Sequence, residues 1–270
     1  MPETTTWTID EASALYGVEA WGADYVRVNG LGHIEMGPGE TKIDLHDLVN
    51  GLRARGVSTP MVIRFRDVLE HRMETIAKAF SKAIDDNDYR GSYSAIYPIK
   101  VNQQRQICAE IRDRAVDLRF GFEAGSKPEL LAVLGLIAEL PPDIERPLIV
   151  CNGFKDDEYI ETVVLASKLG LRIVTVIERA HELTALLRYA SSYGIRPMIG
   201  VRIKPSSRGA GRWEESGGMR SKFGLNFTEL LRLVDRLKRD EMLDCLQVLH
   251  FHVGSQICDI RRFKNAIGEL

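Results

Sequence analysis

Short apolar runs rich in β-branched residues alternate with longer segments of helical period from residue 60 onward. This alternation is typical of repeated βα units around a parallel sheet. The pattern predicts seven strands, at Met61–Phe65, Ser94–Ile99, Asp117–Phe122, Leu148–Asn152, Arg172–Ile177, Met198–Ile203 and Leu246–Val253. It predicts helices between them at 67–84, 104–114, 127–139, 156–168, 179–192 and 227–239. The fold class is therefore predicted to be α/β.

The number of predicted strands suits a (β/α)8, TIM-like barrel that lacks its last strand. Such a barrel uses about 250 residues, and the chain has 270. Seven strands would leave two edges with unpaired backbone groups. Leu270 falls in the helix predicted after the seventh strand. We therefore expect an incomplete barrel over residues 42–270, with the closing strand in sequence that follows.

The first 41 residues have a different pattern. Tyr25–Val28 and His33–Met36 are two short runs joined by the sequence NGLG, which favours a tight turn. We expect residues 1–41 to contribute strands to a second, β-rich domain.

Charge and composition exclude several classes of protein. The 36 Lys and Arg residues against 38 Asp and Glu give a net charge of −2, with no long basic block for nucleic acid. The opening MPETTTWTIDEAS lacks the basic and apolar regions of a secretory signal, and no later stretch approaches the roughly 20 apolar residues of a membrane span. The four cysteines are widely separated, without a CxxC pair. We expect a cytoplasmic protein with structural thiols and no membrane partner.

The sequence YPIKVN places Lys100 at the carboxyl end of a predicted strand, where barrel active sites are built. Partial desolvation of an amine lowers its pKa and makes it a usable nucleophile toward an aldehyde carbon. Position alone also fits a solvated lysine at a strand end, which is the commoner case. The lysine is thus a candidate that needs further support.

Other strand ends carry polar candidates. Glu123 follows the third strand, where its carboxylate could lie near the Lys100 amine or instead bond the N-terminus of the next helix. Arg202 lies in GVRIK on the sixth predicted strand, where it could form a structural salt bridge. His250 and His252 share a strand face. Because no third ligand stands at a recognisable spacing, we predict no metal site there.

The glycine-rich segment Pro205–Gly224 follows the sixth strand. It contains no GxGxxG spacing, so dinucleotide binding is a poor interpretation. We predict a mobile lid at the barrel mouth that closes over substrate through Lys222. A plain flexible surface loop remains the alternative.

The motif YPIKVNQ resembles the Schiff-base motif of the alanine-racemase-like, fold type III decarboxylases that use pyridoxal 5′-phosphate (PLP). Longer segments are similar to the biosynthetic arginine decarboxylase family over essentially the whole chain. These segments are WTIDEASALYGVEAWGADYVRVN, IDLHDLV, YPIKVNQQRQI, GFEAGSKPELLAVL, IVCNGFKDDEYI, SKFGL and LHFHVGSQI. Several of them are absent from ornithine and diaminopimelate decarboxylases.

This resemblance implies roles for five residues. Lys100 would carry PLP as a Schiff base, with His252 stacked on the pyridine ring and Ser255 in contact with the phosphate. Glu123 would lie near the cofactor and assist the exchange of lysine for substrate. Arg202 would reach toward the cofactor side of the barrel.

The resemblance also implies decarboxylation of L-arginine to agmatine and CO2 in polyamine and spermidine biosynthesis. It implies Mg²⁺ as a second cofactor, for which the sequence offers no recognisable site, and a homo-oligomer. The phosphate loop and the acid that meets the pyridine nitrogen are expected beyond Leu270. Two alternatives stay open: a related decarboxylase acting on ornithine, diaminopimelate or carboxynorspermidine, and a PLP-binding or interaction fragment without turnover.

Overall fold

The structure is a computed structural model that describes residues 7–204, 224–254 and 260–268. The chain divides into two compact units, Met1–Tyr93 and Ser94–Leu270. The domain boundary that the sequence suggests between residues 41 and 42 stays a prediction.

The first unit contains a small antiparallel sheet with the strand order β1-β2-β3. Both strands predicted near the NGLG turn are present, and a third, very short strand precedes helix α3. The elements are α1 (Ile9–Tyr16), α2 (Val18–Gly22), β1 (Val26–Val28), β2 (Ile34–Met36), β3 (Ile43–Asp44), α3 (Leu45–Ala54) and α4 (Arg66–Asp86).

The second unit is a parallel sheet of six strands that neighbour one another in chain order, from β4 to β9. Helices connect successive strands, so the predicted α/β class and parallel sheet are confirmed. The strands are β4 (Ala95–Pro98), β5 (Phe120–Ala124), β6 (Ile149–Cys151), β7 (Ile173–Ile177), β8 (Met198–Arg202) and β9 (Leu246–His250). The helices are α5 (Arg105–Asp113), α6 (Ala115–Leu118), α7 (Lys127–Ala138), α8 (Asp157–Lys168), α9 (Ala180–Tyr193), α10 (Phe227–Arg239) and α11 (Ile260–Gly268).

The middle of this sheet is the core of the second unit. Every residue of β5 and of β7 is buried, as expected for parallel strands covered on both faces. Apolar side chains of α8, α9 and α10 pack with those of β7 and β8 in one cluster. The carboxyl ends of these strands are therefore held by a packed interior, which can fix the side chains that follow them.

The first and third predicted strands differ from the structure. Residues 61–65 form no strand, and Val62 is 78% exposed, so this apolar run lacks the burial that its composition suggested. The third predicted strand begins at Phe120 rather than Asp117, because helix α6 occupies the preceding residues. That helix ends at Arg119, whose backbone is left-handed with φ of 54°. The described parallel sheet therefore has six strands instead of seven.

None of the helices in the described part of the chain combines the length and apolar character that crossing a bilayer requires.

Candidate active site

Lys100 and Glu123 lie side by side at the carboxyl ends of the first two parallel strands. Lys100 stands in a short 3-10 turn directly after β4, and its Nζ is 3.1 Å from both carboxylate oxygens of Glu123. The pairing register explains this proximity, since Pro98 on β4 is the partner of Glu123 on β5. The lysine side chain is 56% exposed and the carboxylate side chain 9%. The site thus presents an accessible amine above a buried carboxylate.

A third strand end supports the Glu123 carboxylate. Asn152 follows β6 directly, and its Nδ2 donates to Glu123 Oε1 at 3.3 Å. Helix α7 is capped by the side chain of Ser126, so Glu123 is not the cap of that helix. Glu123 therefore lies beside the Lys100 amine, and helix α7 takes its N-terminal cap from Ser126.

Arg202 forms the ion pair that its position at the end of β8 suggested. Its Nη1 donates to Oε1 of Glu178 at 3.1 Å, with side-chain exposures of 17% and 1%. Partial burial lowers the pKa of His252, and the charge of Arg202 lowers it further. The arginine therefore contributes to a buried ion pair and to the electrostatics of the barrel mouth.

The two histidines near the end of β9 have different surroundings. The strand stops at His250, short of the predicted end at Val253. Burial, reinforced by the charge of Arg202, lowers the pKa of His250 to about 4. His252 is exposed, and partial desolvation together with the charges of Arg202 and Lys100 lowers its pKa. Lys100 and Arg202 are therefore each within electrostatic reach of His252.

The depressed pKa of His250 predicts a specific dependence of stability on pH. An unfolded histidine takes up its proton near pH 6.5, whereas folded His250 does so near pH 4. The unfolded state thus binds more protons in this window, and the His250 contribution to stability is lost as pH falls through it. We expect the free energy of unfolding to fall by about 1 to 2 kcal/mol between pH 7 and pH 5, after a discount for the partial exposure of His250.

Urea unfolding at pH 7 and pH 5 measures this contribution. The His250→Gln variant should lose less stability than the unchanged protein over that interval. His181→Gln, which changes an exposed imidazole on α9, serves as the control and should follow the unchanged protein. An unaltered pH dependence in His250→Gln would contradict the prediction.

Two predicted site residues, Ser255 and Lys222, lie outside the described residues. The same holds for most of the glycine-rich segment, residues 205–223. The phosphate contact and the substrate lid therefore remain predictions.

Sequence reasoning missed several polar residues of the site. Asn152 and Glu178 each stand directly after a buried strand, which is the signal that drew attention to Glu123. Lys155 and Glu182 form an ion pair at 3.3 Å in which both side chains are fully buried. A search for polar residues directly after predicted strands would have found Asn152 and Glu178. Only the structure shows that Lys155 and Glu182 are buried together.

Among the described residues, one cluster of three or more potential metal ligands is present, and its ligands do not suit Mg²⁺. The one group there with ligand atoms within 4.8 Å of one another is His33, Asp44, His46 and Asp47, in the first unit. Asp44 Oδ1 accepts the amides of His46 and Asp47, and its Oδ2 accepts from His33 and Asn29. Mg²⁺ prefers six oxygen ligands in an octahedron. Two imidazoles and two carboxylates, of which that of Asp44 already accepts four hydrogen bonds, do not fit it.

Comparison with known proteins gives the site its context. Residues 68–270 match the family model described as pyridoxal-dependent decarboxylase, pyridoxal binding domain. The chain belongs to the pyridoxal-dependent decarboxylase family. Membership confirms the prediction of PLP as cofactor. An accessible lysine at a barrel-type strand end, paired with a buried acid, suits such a domain.

The relatives of this pyridoxal-dependent decarboxylase domain are longer proteins. The biosynthetic arginine decarboxylase of Phocaeicola vulgatus is 44% identical over 265 residues, covering 97% of this chain and 41% of that protein. That of Gloeobacter violaceus is 46% identical over 266 residues, covering 97% and 40%. The chain therefore spans about two fifths of the length of these curated relatives.

A solved structure agrees with the fold. The crystal structure of the biosynthetic arginine decarboxylase from Campylobacter jejuni matches with a TM-score of 0.81 and 33% sequence identity, over 94% of this chain and 39% of that one. This match confirms the predicted fold class, an incomplete TIM-like PLP-binding barrel.

Proposed function

We propose that the protein containing this chain converts L-arginine to agmatine and CO2, and that Lys100 is the lysine that binds PLP. The observation that carries the proposal is the Lys100–Glu123 pair at adjoining strand ends of a pyridoxal-binding domain. Support for arginine as substrate comes from relatives that are named biosynthetic arginine decarboxylases and are 44% and 46% identical.

When bound, PLP supplies the electron sink for the bond that breaks. The chain's own residues bind it and manage protons. Lys100 presents an accessible amine, and the buried Glu123 carboxylate 3.1 Å away can hold or accept its proton while lysine and substrate amine exchange. Asn152 keeps that carboxylate in place through its amide. Glu123 is thus suited to assist the exchange.

The remaining roles follow the family resemblance. We assign ring stacking to His252, phosphate binding to Ser255, a place on the cofactor side to Arg202 and substrate closure to Lys222. Polyamine biosynthesis, a cytoplasmic location, a homo-oligomeric assembly and a Mg²⁺ requirement belong to the same proposal for the complete protein.

Product analysis tests the substrate. The complete protein, loaded with PLP, is incubated separately with arginine, ornithine, diaminopimelate and carboxynorspermidine, and the amines released are identified by mass spectrometry. We expect agmatine from arginine as the dominant product. A higher kcat/KM for another of these substrates would assign the protein to the related decarboxylases, and no product from any of them would favour a PLP-binding protein without turnover.

A further inference from the structure

One buried carboxylate connects three neighbouring strand ends. Glu178 follows β7 directly, and its Oε1 accepts the backbone amide of Gly153 at 3.0 Å and Nη1 of Arg202 at 3.1 Å. Gly153 lies just beyond β6, and Arg202 ends β8. Since β6 and β8 are the two neighbours of β7, Glu178 joins its own strand to both.

A second buried acid, Glu182, holds the Glu178 backbone. Oε2 of Glu182 accepts the Glu178 amide at 2.8 Å and Nζ of Lys155 at 3.3 Å. Lys155 Nζ also donates to the Gly153 carbonyl at 2.8 Å. The bonds run from Gly153 through Glu178, Glu182 and Lys155 back to Gly153, so they form a closed ring that holds the Glu178 backbone and one carboxylate oxygen, Oε1.

Gly153 presents its amide in a conformation that favours glycine. Its φ is 77°, and a Cβ there would lie 2.2 Å from the Gly125 carbonyl oxygen. The direction of the amide that meets Glu178 is therefore set by the backbone. The other partner of the carboxylate is the side chain of Arg202.

The opposite charges of Glu178 and Arg202 hold the two side chains together. A carboxylate that is 1% exposed requires a cation or several donors to offset its desolvation, and Arg202 supplies the cation. In turn the guanidinium is tied to one location, from which its charge reaches both His250 and His252. An arginine held in this way costs less to order when an anion binds than a free side chain does.

We propose that Glu178 is a positioning residue for cofactor binding, which holds the Arg202 guanidinium at the carboxyl end of β8, where Arg202 pairs with His250 of β9, so that an anionic cofactor meets a cation already in place. The proposal rests on the proposed PLP site at Lys100. Glu178 itself is too deeply buried to touch the cofactor and acts through Arg202.

The Glu178→Gln variant of the complete protein tests this role. It keeps an acceptor oxygen for Gly153 and removes the charge that holds Arg202. Spectroscopic titration of the apo protein with PLP should give a dissociation constant about tenfold higher, with an unchanged circular dichroism spectrum. The matched control is Glu145→Gln, which breaks an exposed Arg–Glu pair with Arg172 and should bind PLP within twofold of the unchanged protein.

A double-mutant cycle separates positioning from a merely structural effect. In an Arg202→Gln background, Glu178→Gln should weaken PLP binding by less than twofold further, because its partner is already absent. A full tenfold additional loss would overturn the proposal. Should Glu178→Gln fail to fold, Arg202→Lys replaces it, since lysine keeps the charge without the planar guanidinium. Binding of PLP by Arg202→Lys at the unchanged affinity would equally overturn it.

These titrations use no amino-acid substrate. A protein that binds PLP at Lys100 but releases no agmatine contradicts the proposed function alone. A protein that releases agmatine but shows no coupling between Glu178 and Arg202 contradicts this inference alone.

Discussion

Lys100→Ala in the complete protein should lower the rate of agmatine release on the order of a thousandfold. The substitution removes the amine that we propose condenses with the cofactor aldehyde, and no other described lysine pairs with an acid at the end of β4 or β5. The rate is measured at saturating arginine and PLP, together with the absorbance of lysine-bound PLP, which should disappear.

Lys168→Ala is the matched control for this experiment. Lys168 ends helix α8, at the opposite end of its βα unit from the candidate site, where it stacks over the ring of Tyr193. Its removal should change the rate by less than twofold. A Lys100→Ala protein that keeps normal turnover and absorbance would refute the assignment of the cofactor lysine.

Lys155→Met should lower the free energy of unfolding by about 3 to 5 kcal/mol, because it leaves the Glu182 carboxylate buried without its cation. Both side chains of this pair are 0% exposed, with Nζ and Oε2 3.3 Å apart. Urea denaturation monitored by circular dichroism measures the change. The double variant Lys155→Met/Glu182→Gln should be less destabilised than Lys155→Met, since the amide keeps an acceptor oxygen without a charge.

Lys82→Met provides the comparison for this stability measurement. It makes the same substitution in an exposed pair one helical turn apart on α4, with Asp86, and should cost no more than about 0.5 kcal/mol. A similar loss in free energy of unfolding for Lys155→Met and Lys82→Met would show that the buried pair contributes no more to stability than the exposed pair.

The helices and the parallel order of the second unit were predictable from the sequence. There the hydrophobic periodicity agrees with the residues that mark where helices and strands begin and end. Helix α10 occupies Phe227–Arg239, as predicted, and α7 ends one residue before the predicted end. At residues 61–65 the same β-branched signal failed. A β-strand needs a neighbouring strand for its backbone hydrogen bonds as well as β-branched residues. A local sequence pattern carries no information about which strands are neighbours.

Part of the candidate site was predictable from the sequence. Lys100 and Glu123 each follow an apolar strand, and parallel strands bring such residues to one edge. The roles of Asn152 and Glu178 depend on which strands are neighbours and how they are staggered. Those relations place an amide beside Glu123 and a carboxylate between Gly153 and Arg202, and they become visible only once the sheet is assembled.

The proposed covalent attachment of the cofactor to Lys100 can be tested directly. Borohydride reduction of the PLP-loaded complete protein, followed by proteolysis and mass spectrometry, locates the lysine that carries the pyridoxyl group. We predict that the label lies on the peptide containing YPIKVNQ, at Lys100. A label on Lys155 or on any other lysine, with Lys100 unmodified, would contradict the proposed site.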